Sequence, residues 1–212
     1  VWRRRPDEEN VTVRTWMYSL SEEVDSIDFF VSHTWSASGF GKCIALLGFF
    51  RRSTFCIGGL SALAILFVLE ASGFLSPVLV YHIRFFGWEG DVPLGLWCTS
   101  IAPLAGVLCA LFIPSGASAG NKEPNIFLDQ VCINQADAEM KRKGIMSLGY
   151  FLSNSKALMI LWTPTYFSRL WCVYELAAYV AFRRDARIVF QPVFTEVFVA
   201  AMFCIVWLVT LA

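Results

Sequence analysis

The sequence predicts an α/β protein: a doubly wound parallel sheet, interrupted by a transmembrane helical hairpin and followed by a further C-terminal transmembrane helix. Three observations carry this. Short β-prone apolar runs alternate with segments of helical period, the order that builds a parallel sheet. Apolar stretches long enough to cross a bilayer fall between the first and second of these runs. The whole chain is 57% hydrophobic and only 16% charged, too apolar for an ordinary soluble domain of its length.

Residues 27–32 form the first strand, a β-prone run that follows the acidic Glu22, Glu23 and Asp25. Residues 126–128 form the second, bounded by Pro124 and Asp129, both poor strand residues. From Asp137, a good N-cap, Met140, Leu148, Phe151 and Leu152 recur at helical spacing to about Asn154, with Lys141, Arg142 and Lys143 free to face water. The continuous apolar run 157–162 suits a central parallel strand covered on both faces, and Thr163-Pro164 ends it. A further helix is expected from about Ser168 to Phe182, and a fourth strand over 187–193.

Residues 92–113 carry no charged side chain, which matches the roughly 20 residues a spanning helix needs. Pro103 is a potential kink, and Ala102, Gly106 and Ala110 form a small-residue stripe that would let another helix approach. A second span is expected at about 53–73, with Arg51 and Arg52 at its near end and Glu70 at its far end, because a carboxylate at mid-bilayer is costly. Residues 74–80 would then lie in the far interface. A third span is expected to start near 193 and to continue past 212, with Glu196 near its start placing the first turn at the interface. The expected organisation is thus 1–42 as N-terminal segment and first strand, 43–120 as the membrane hairpin, 121–192 as the rest of the sheet domain, and 193–212 as the third span. The chain reads as a fragment of a longer protein.

The formal net charge of +0 gives no field for nucleic acid. Basic residues cluster at Arg3 to Arg5, Arg51 and Arg52, Lys141 to Lys143, and Arg183, Arg184 and Arg187. The seven cysteines show no C-x-x-C spacing, and His33 and His82 are distant in sequence, so neither a disulfide framework nor a metal centre is expected.

Asp28-Phe29-Phe30-Val31-Ser32-His33 resembles the first strand of Toll/interleukin-1 receptor (TIR) domains, and Ile126-Phe127-Leu128-Asp129 their second. Ser168-Arg169-Leu170-Trp171-Cys172-Val173-Tyr174-Glu175-Leu176 is similar to the tryptophan-cysteine and glutamate-leucine signature after the third strand. Asp129-Gln130-Val131-Cys132-Ile133-Asn134-Gln135 also resembles a motif of heterokaryon-incompatibility domains, considered relatives of the TIR fold. The resemblance covers about 26–40 and 124–193 and implies a flavodoxin-like sheet. The inserted hairpin departs from the family. If the first two strands share a sheet, the insert must cross the membrane an even number of times, and two crossings fit. Lys42, Arg51, Arg52 and Lys122 on the domain side, against Arg84 with Glu89 and Asp91 in the loop, place the domain in the cytosol.

The resemblance implies self-association or assembly with other TIR-like domains, and in some members cleavage of NAD by a glutamate matched here by Glu175. Such a carboxylate would stabilise positive charge developing on the ribose. Trp171, Glu175, Ala178 and Phe182 share a helical face, which would surround the carboxyl with apolar groups. The competing role for Glu175 is structural, at the helix start or bonded to Arg169. His33, Ser32, Asp129 and Trp171 are candidate ligand contacts, since doubly wound sheets bind ligands at the carboxyl ends of their strands. For His33 and Asp129 structural roles compete, and Trp171 and Cys172 are expected in the core. The functional expectation is a multi-pass membrane protein with the lipid bilayer as a partner, carrying a cytosolic TIR-like signalling module that works by homotypic assembly. The alternatives are an NAD hydrolase using Glu175, with NAD as substrate and no cofactor, and a channel or transporter suggested by Glu70 and Glu196.

Overall fold

The computed structural model describes residues 11–77, 79–113 and 123–211. Arg3 to Arg5, Lys122 and residues 114–120 lie outside the described residues. In chain order the elements are α1 (Val11–Tyr18), β1 (Ile27–His33), α2 (Gly39–Phe50), α3 (Arg52–Ala71), β2 (Leu79–Phe85), β3 (Trp88–Leu94) and α4 (Leu96–Phe112). They continue with β4 (Ile126–Leu128), α5 (Asp129–Cys132), α6 (Ala138–Met146), α7 (Leu148–Ser153), β5 (Ser155–Trp162), α8 (Leu170–Phe182), β6 (Ile188–Pro192) and α9 (Val193–Leu211). The chain divides into two compact units, residues 1–46 with 123–197 and residues 47–122 with 198–212.

The first unit is built on a parallel sheet of order β4-β1-β5-β6. Numbered along the sheet-forming strands this is 2-1-3-4, the order of the flavodoxin-like doubly wound class through its fourth strand. Strand β1 is central. Phe30 pairs with Phe127 on one edge and Leu158 on the other, and the run from Phe30 to His33 is buried throughout. Ala157 to Leu161 in β5 are buried likewise, the signature of a strand covered on both faces. Phe30 stacks on Phe127, and Phe127 on Phe151, which ties the sheet to α7.

Asp137 caps α6 as expected, its side chain accepting from Glu139 N and Met140 N. The single helix expected from Asp137 to Asn154 is instead two, divided at Ser147, whose ψ of 2° leaves helical geometry. Met140 is exposed, whereas Leu148 and Leu152 are fully buried, so the break turns only the second piece inward. The helix after the third strand also presents a different face from the one expected. Cys172, Glu175 and Tyr179 are buried, and Trp171 and Phe182 are substantially exposed, a rotation of about one residue position.

In the second unit α3 and α4 run antiparallel. Arg51, just before α3, donates from Nε to Ala110 O at 2.8 Å and from its guanidinium to Ile113 O, supplying donors to carbonyls that a helix end leaves unpaired. At the other end Cys98 Sγ donates to Glu70 Oε2 at 3.4 Å. Ala102, Gly106 and Ala110 are buried, so the small-residue stripe is a packing face. A Cβ on Gly106 would lie 2.8 Å from Phe55 O, and one on Gly58 2.6 Å from Cys109 Cβ. Helix α3 has 20 residues, none buried in its most apolar window, and is long and apolar enough to cross a bilayer. Helix α4 has 17, about 26 Å at 1.5 Å per residue. It begins later than the stretch 92–113 suggested, because residues 92–94 belong to a strand.

Residues expected as a far interface and a connecting loop form the antiparallel hairpin β2–β3. Its two-residue turn, Phe86-Gly87, has positive φ at both positions, the backbone that two-residue hairpins favour. Arg84 faces Glu89 across the strands and bonds it at 2.6 Å, while His82 Nδ1 contacts Asp91 Oδ1 at 2.8 Å.

Gly106→Ile drives a side chain into the Phe55 backbone. It is expected to destabilise the α3–α4 pair by about 1–3 kcal/mol, the usual cost of overpacking. The midpoint of unfolding in mixed detergent micelles measures this, and an unchanged midpoint would show that the two helices do not pack this closely.

Candidate functional site

A cavity of about 400 Å³ opens beside the carboxyl ends of β1 and β4, the position at which doubly wound sheets bind ligands. Its walls include His33 at the end of β1 and Trp35 after it, Asp129 and Gln135 after β4, and Arg169 and Trp171 at the start of α8. Of the residues singled out in the sequence, His33, Asp129 and Trp171 line this cavity; Ser32 and Glu175 do not.

Glu175 lies behind the wall, 3% exposed. Its Oε2 is 2.5 Å from Ser32 Oγ, which is 2.6 Å from the Tyr166 hydroxyl. Tyr166 in turn donates to Cys172 O at 3.4 Å. Burial pushes the Glu175 carboxyl up to about 8; hydrogen bonds from Ser32 and Trp171 oppose the shift and the nearby Asp129 charge reinforces it. The carboxyl is therefore mostly protonated at neutral pH. Ser32 Oγ donates to Glu175 Oε2, and the Tyr166 hydroxyl bonds Ser32 and reaches the Cys172 carbonyl, so one line of hydrogen bonds joins the four residues. Among the described residues no cation bonds the Glu175 carboxyl, and its partner is a strand-end serine in place of the expected Arg169.

Asp129 opens α5. Its Oδ1 accepts from Gln130 N at 2.7 Å and its Oδ2 from Trp35 Nε1 at 3.1 Å. His33 Nε2 lies 3.8 Å from Asp129 Oδ1 and has no hydrogen-bond partner. Burial holds the imidazole below its ordinary pKa, with Asp129 pulling the other way, so it is neutral at pH 7. The turn role expected for Asp129 and its place on the cavity wall coexist. Trp171, expected in the core, is 38% exposed.

Several residues of the site carried no readable signal. Lys42, counted from the sequence among the positive residues facing the cytosol, is 2% exposed. Burial pushes its amine down to about 8, with Asp129 the principal opposing influence. Tyr166 follows a Thr-Pro strand stop and is fully buried. Gln135 ends the motif that begins at Asp129, and its Nε2 donates to Asp129 O at 3.4 Å. Burial raises the Cys172 thiol to about 11, and Cys132 shifts upward for the same first reason. Neither is a thiolate nucleophile at neutral pH. Among the described residues no group of three metal-ligating side chains occurs.

Comparison with protein-family models, with curated proteins and with solved structures finds no match to this chain.

Of the perturbed groups, Glu175 and Lys42 set the pH dependence of stability between pH 6.5 and 9.0, with His33 acting below that window and Cys172 and Cys132 above it. Glu175 is raised from 4.5 to about 8. Its contribution is full below pH 4.5 and falls away as pH rises through about 8. Lys42 is lowered from 10.5 to about 8, so its burial penalty is full below that value and is relieved toward pH 10.5. Each limb has a slope of about 1.4 kcal/mol per pH unit, and the thermal midpoint should be lowest near pH 8. Glu175→Gln is expected to flatten the acid limb and Lys42→Met the alkaline limb. Melting curves of the three proteins in one detergent between pH 6.5 and 9.0, the window free of the His33, Cys172 and Cys132 shifts, test this, and parallel profiles would count against both assignments.

Proposed function

We propose that the chain is a membrane-anchored TIR-like signalling module that works by homotypic assembly on the cytosolic side. The observation that carries this reading is the interrupted sheet. β1 pairs in parallel with β4 and β5, although an antiparallel pair of apolar helices intervenes between β1 and β4. A sheet cannot be shared across a bilayer, so a membrane insert between its strands must leave and return on one side. The Arg51 contacts to Ala110 and Ile113 support such a return. Arg51 and Arg52 at this end, against Arg84 alone in the hairpin, favour a cytosolic sheet domain.

Hydrolysis of NAD is the second reading, favoured by the cavity at the strand ends. It asks more of Glu175 than its position offers. The carboxyl is held by Ser32 behind the cavity wall, and a protonated acid cannot stabilise a developing cation. A channel finds less support, because Glu70 sits at the end of α3 beside Cys98.

Chemical crosslinking of the purified chain in detergent should yield dimers or larger species whose yield rises with protein concentration. A strict monomer at every concentration would remove the assembly reading. Nicotinamide release from NAD is expected from neither the wild type nor Glu175→Gln; release by the wild type that the variant abolishes would put the hydrolase in its place.

A further inference from the structure

Helix α8 is packed against the sheet by a narrow stripe, Cys172, Glu175 and Tyr179. A helix in that position ordinarily turns charged and polar residues outward. Here the outward face is Leu170, Val173, Tyr174, Ala177, Val180 and Ala181, all exposed, with Leu170 at 86%. Glu175 is the one charged residue in the 13 of this helix, and it is buried. Trp171 and Tyr174 pair at its N-terminal end with ring centroids 6.0 Å apart.

What covers this face is indicated by its flanks. Arg169 precedes the helix, and Arg183, Arg184 and Arg187 follow it, against Asp185 alone. Arg169, Arg184 and Arg187 are exposed. A second copy of the chain would bring the same arginines against one another, whereas anionic lipid headgroups complement them. Thirteen residues are too few to cross a bilayer, and an apolar helix of this length with basic ends and an aromatic pair at one end suits the plane of the interface.

We propose that α8 is a membrane-surface helix that lays the face from Leu170 to Ala181 into the headgroup boundary of an anionic bilayer, with the flanking arginines on lipid phosphates and carboxylates. The proposal rests on the membrane anchorage argued above, which keeps a bilayer within the chain's reach. The docking face points away from the sheet, while Arg169 and Trp171 at its N-terminal end also line the cavity.

The test uses the full chain with Tyr174 replaced by the photo-crosslinking residue p-benzoylphenylalanine, reconstituted in vesicles of phosphatidylcholine alone or mixed with phosphatidylserine. Retention after an alkaline wash is scored first. The expected result is a lipid adduct in the mixed vesicles, reduced at least about fivefold in neutral vesicles or when Arg184→Glu and Arg187→Glu are introduced, since each basic residue near an anionic surface contributes about 1 kcal/mol. The same crosslinker at exposed Glu139 on α6 should give little lipid adduct. Loss of the chain in the wash overturns both the anchorage and the docking. Retention without a lipid adduct at 174, equal adducts at 139 and 174, an adduct insensitive to lipid charge and to the arginines, or an adduct to a second copy of the chain overturns the docking alone.

Discussion

Everything in the sheet domain depends on keeping β1 paired on both edges while the chain leaves it for more than ninety positions, from His33 to Ile126. Loop closure over such a length costs only about 0.6 kcal/mol more per doubling, so length itself is a small obstacle. The obstacle is direction. A parallel neighbour must re-enter at the same end of the sheet as β1, and an insert that wandered would leave the edge of β1 open. An antiparallel helix pair with Arg51 tied to Ala110 and Ile113 returns the chain close to the point at which α3 began. The short β4, three residues long, then suffices: Asp28 Oδ2 accepts from Asn125 N at 2.8 Å, and Asn125 Nδ2 donates to Ser26 O at 3.0 Å, which pins the register outside the ladder.

The second organising feature is the buried polar line behind the cavity. A carboxyl enclosed among apolar groups is costly when ionised, and among the described residues no cation bonds this one, so burial favours its neutral form. In that form it has a geometric use. Ser32 sits at the end of the central strand, Tyr166 in the turn after β5, and Glu175 on α8, so one short chain of hydrogen bonds joins three elements that pass the cavity. Shifting any of them leaves a buried polar atom without a partner, a penalty of about 1–3 kcal/mol. The glutamate therefore stands behind the cavity wall, bonded to Ser32 and next in the helix to the stretch from Trp171 to Cys172 that lines it.

Much of this was legible in the sequence, and the boundary of legibility has a physical pattern. Strands β1, β4 and β5 were readable because continuous apolar runs end at residues that stop strands, and α6 because Asp137 has one strong local role. Motif spacing also brought His33, Asp129 and Trp171 to one cavity. The hairpin β2–β3 stayed hidden because its turn is Phe86-Gly87 instead of an asparagine or aspartate with glycine, and because β3 runs into the uncharged stretch that seemed to belong wholly to a helix. Lys42 and Tyr166 were hidden for another reason. A lysine or tyrosine becomes buried when the tertiary structure surrounds it, and no local pattern announces that. The rotation of α8 was missed because nearly every position in it is apolar, so the sequence offered no contrast from which to choose a face.

That lack of contrast changes what the composition means. Read from the sequence, the apolar excess belonged to spans, with the sheet domain contributing an ordinary soluble surface. In the structure the domain supplies part of the excess itself, since α8 spends its inner face on the core and still presents an uncharged outer one. A helix under selection only for packing would gain solubility from a few outward lysines or glutamates at no cost to its buried stripe. The exposed positions of its outer face, Leu170, Val173, Tyr174 and Ala181, are those that remain apolar, while the charge is displaced to the two ends. Patterning of that kind separates a face that is to be covered from one that merely tolerates water, and it gives the sheet domain a surface requirement that the apolar helices α3 and α4 alone do not explain.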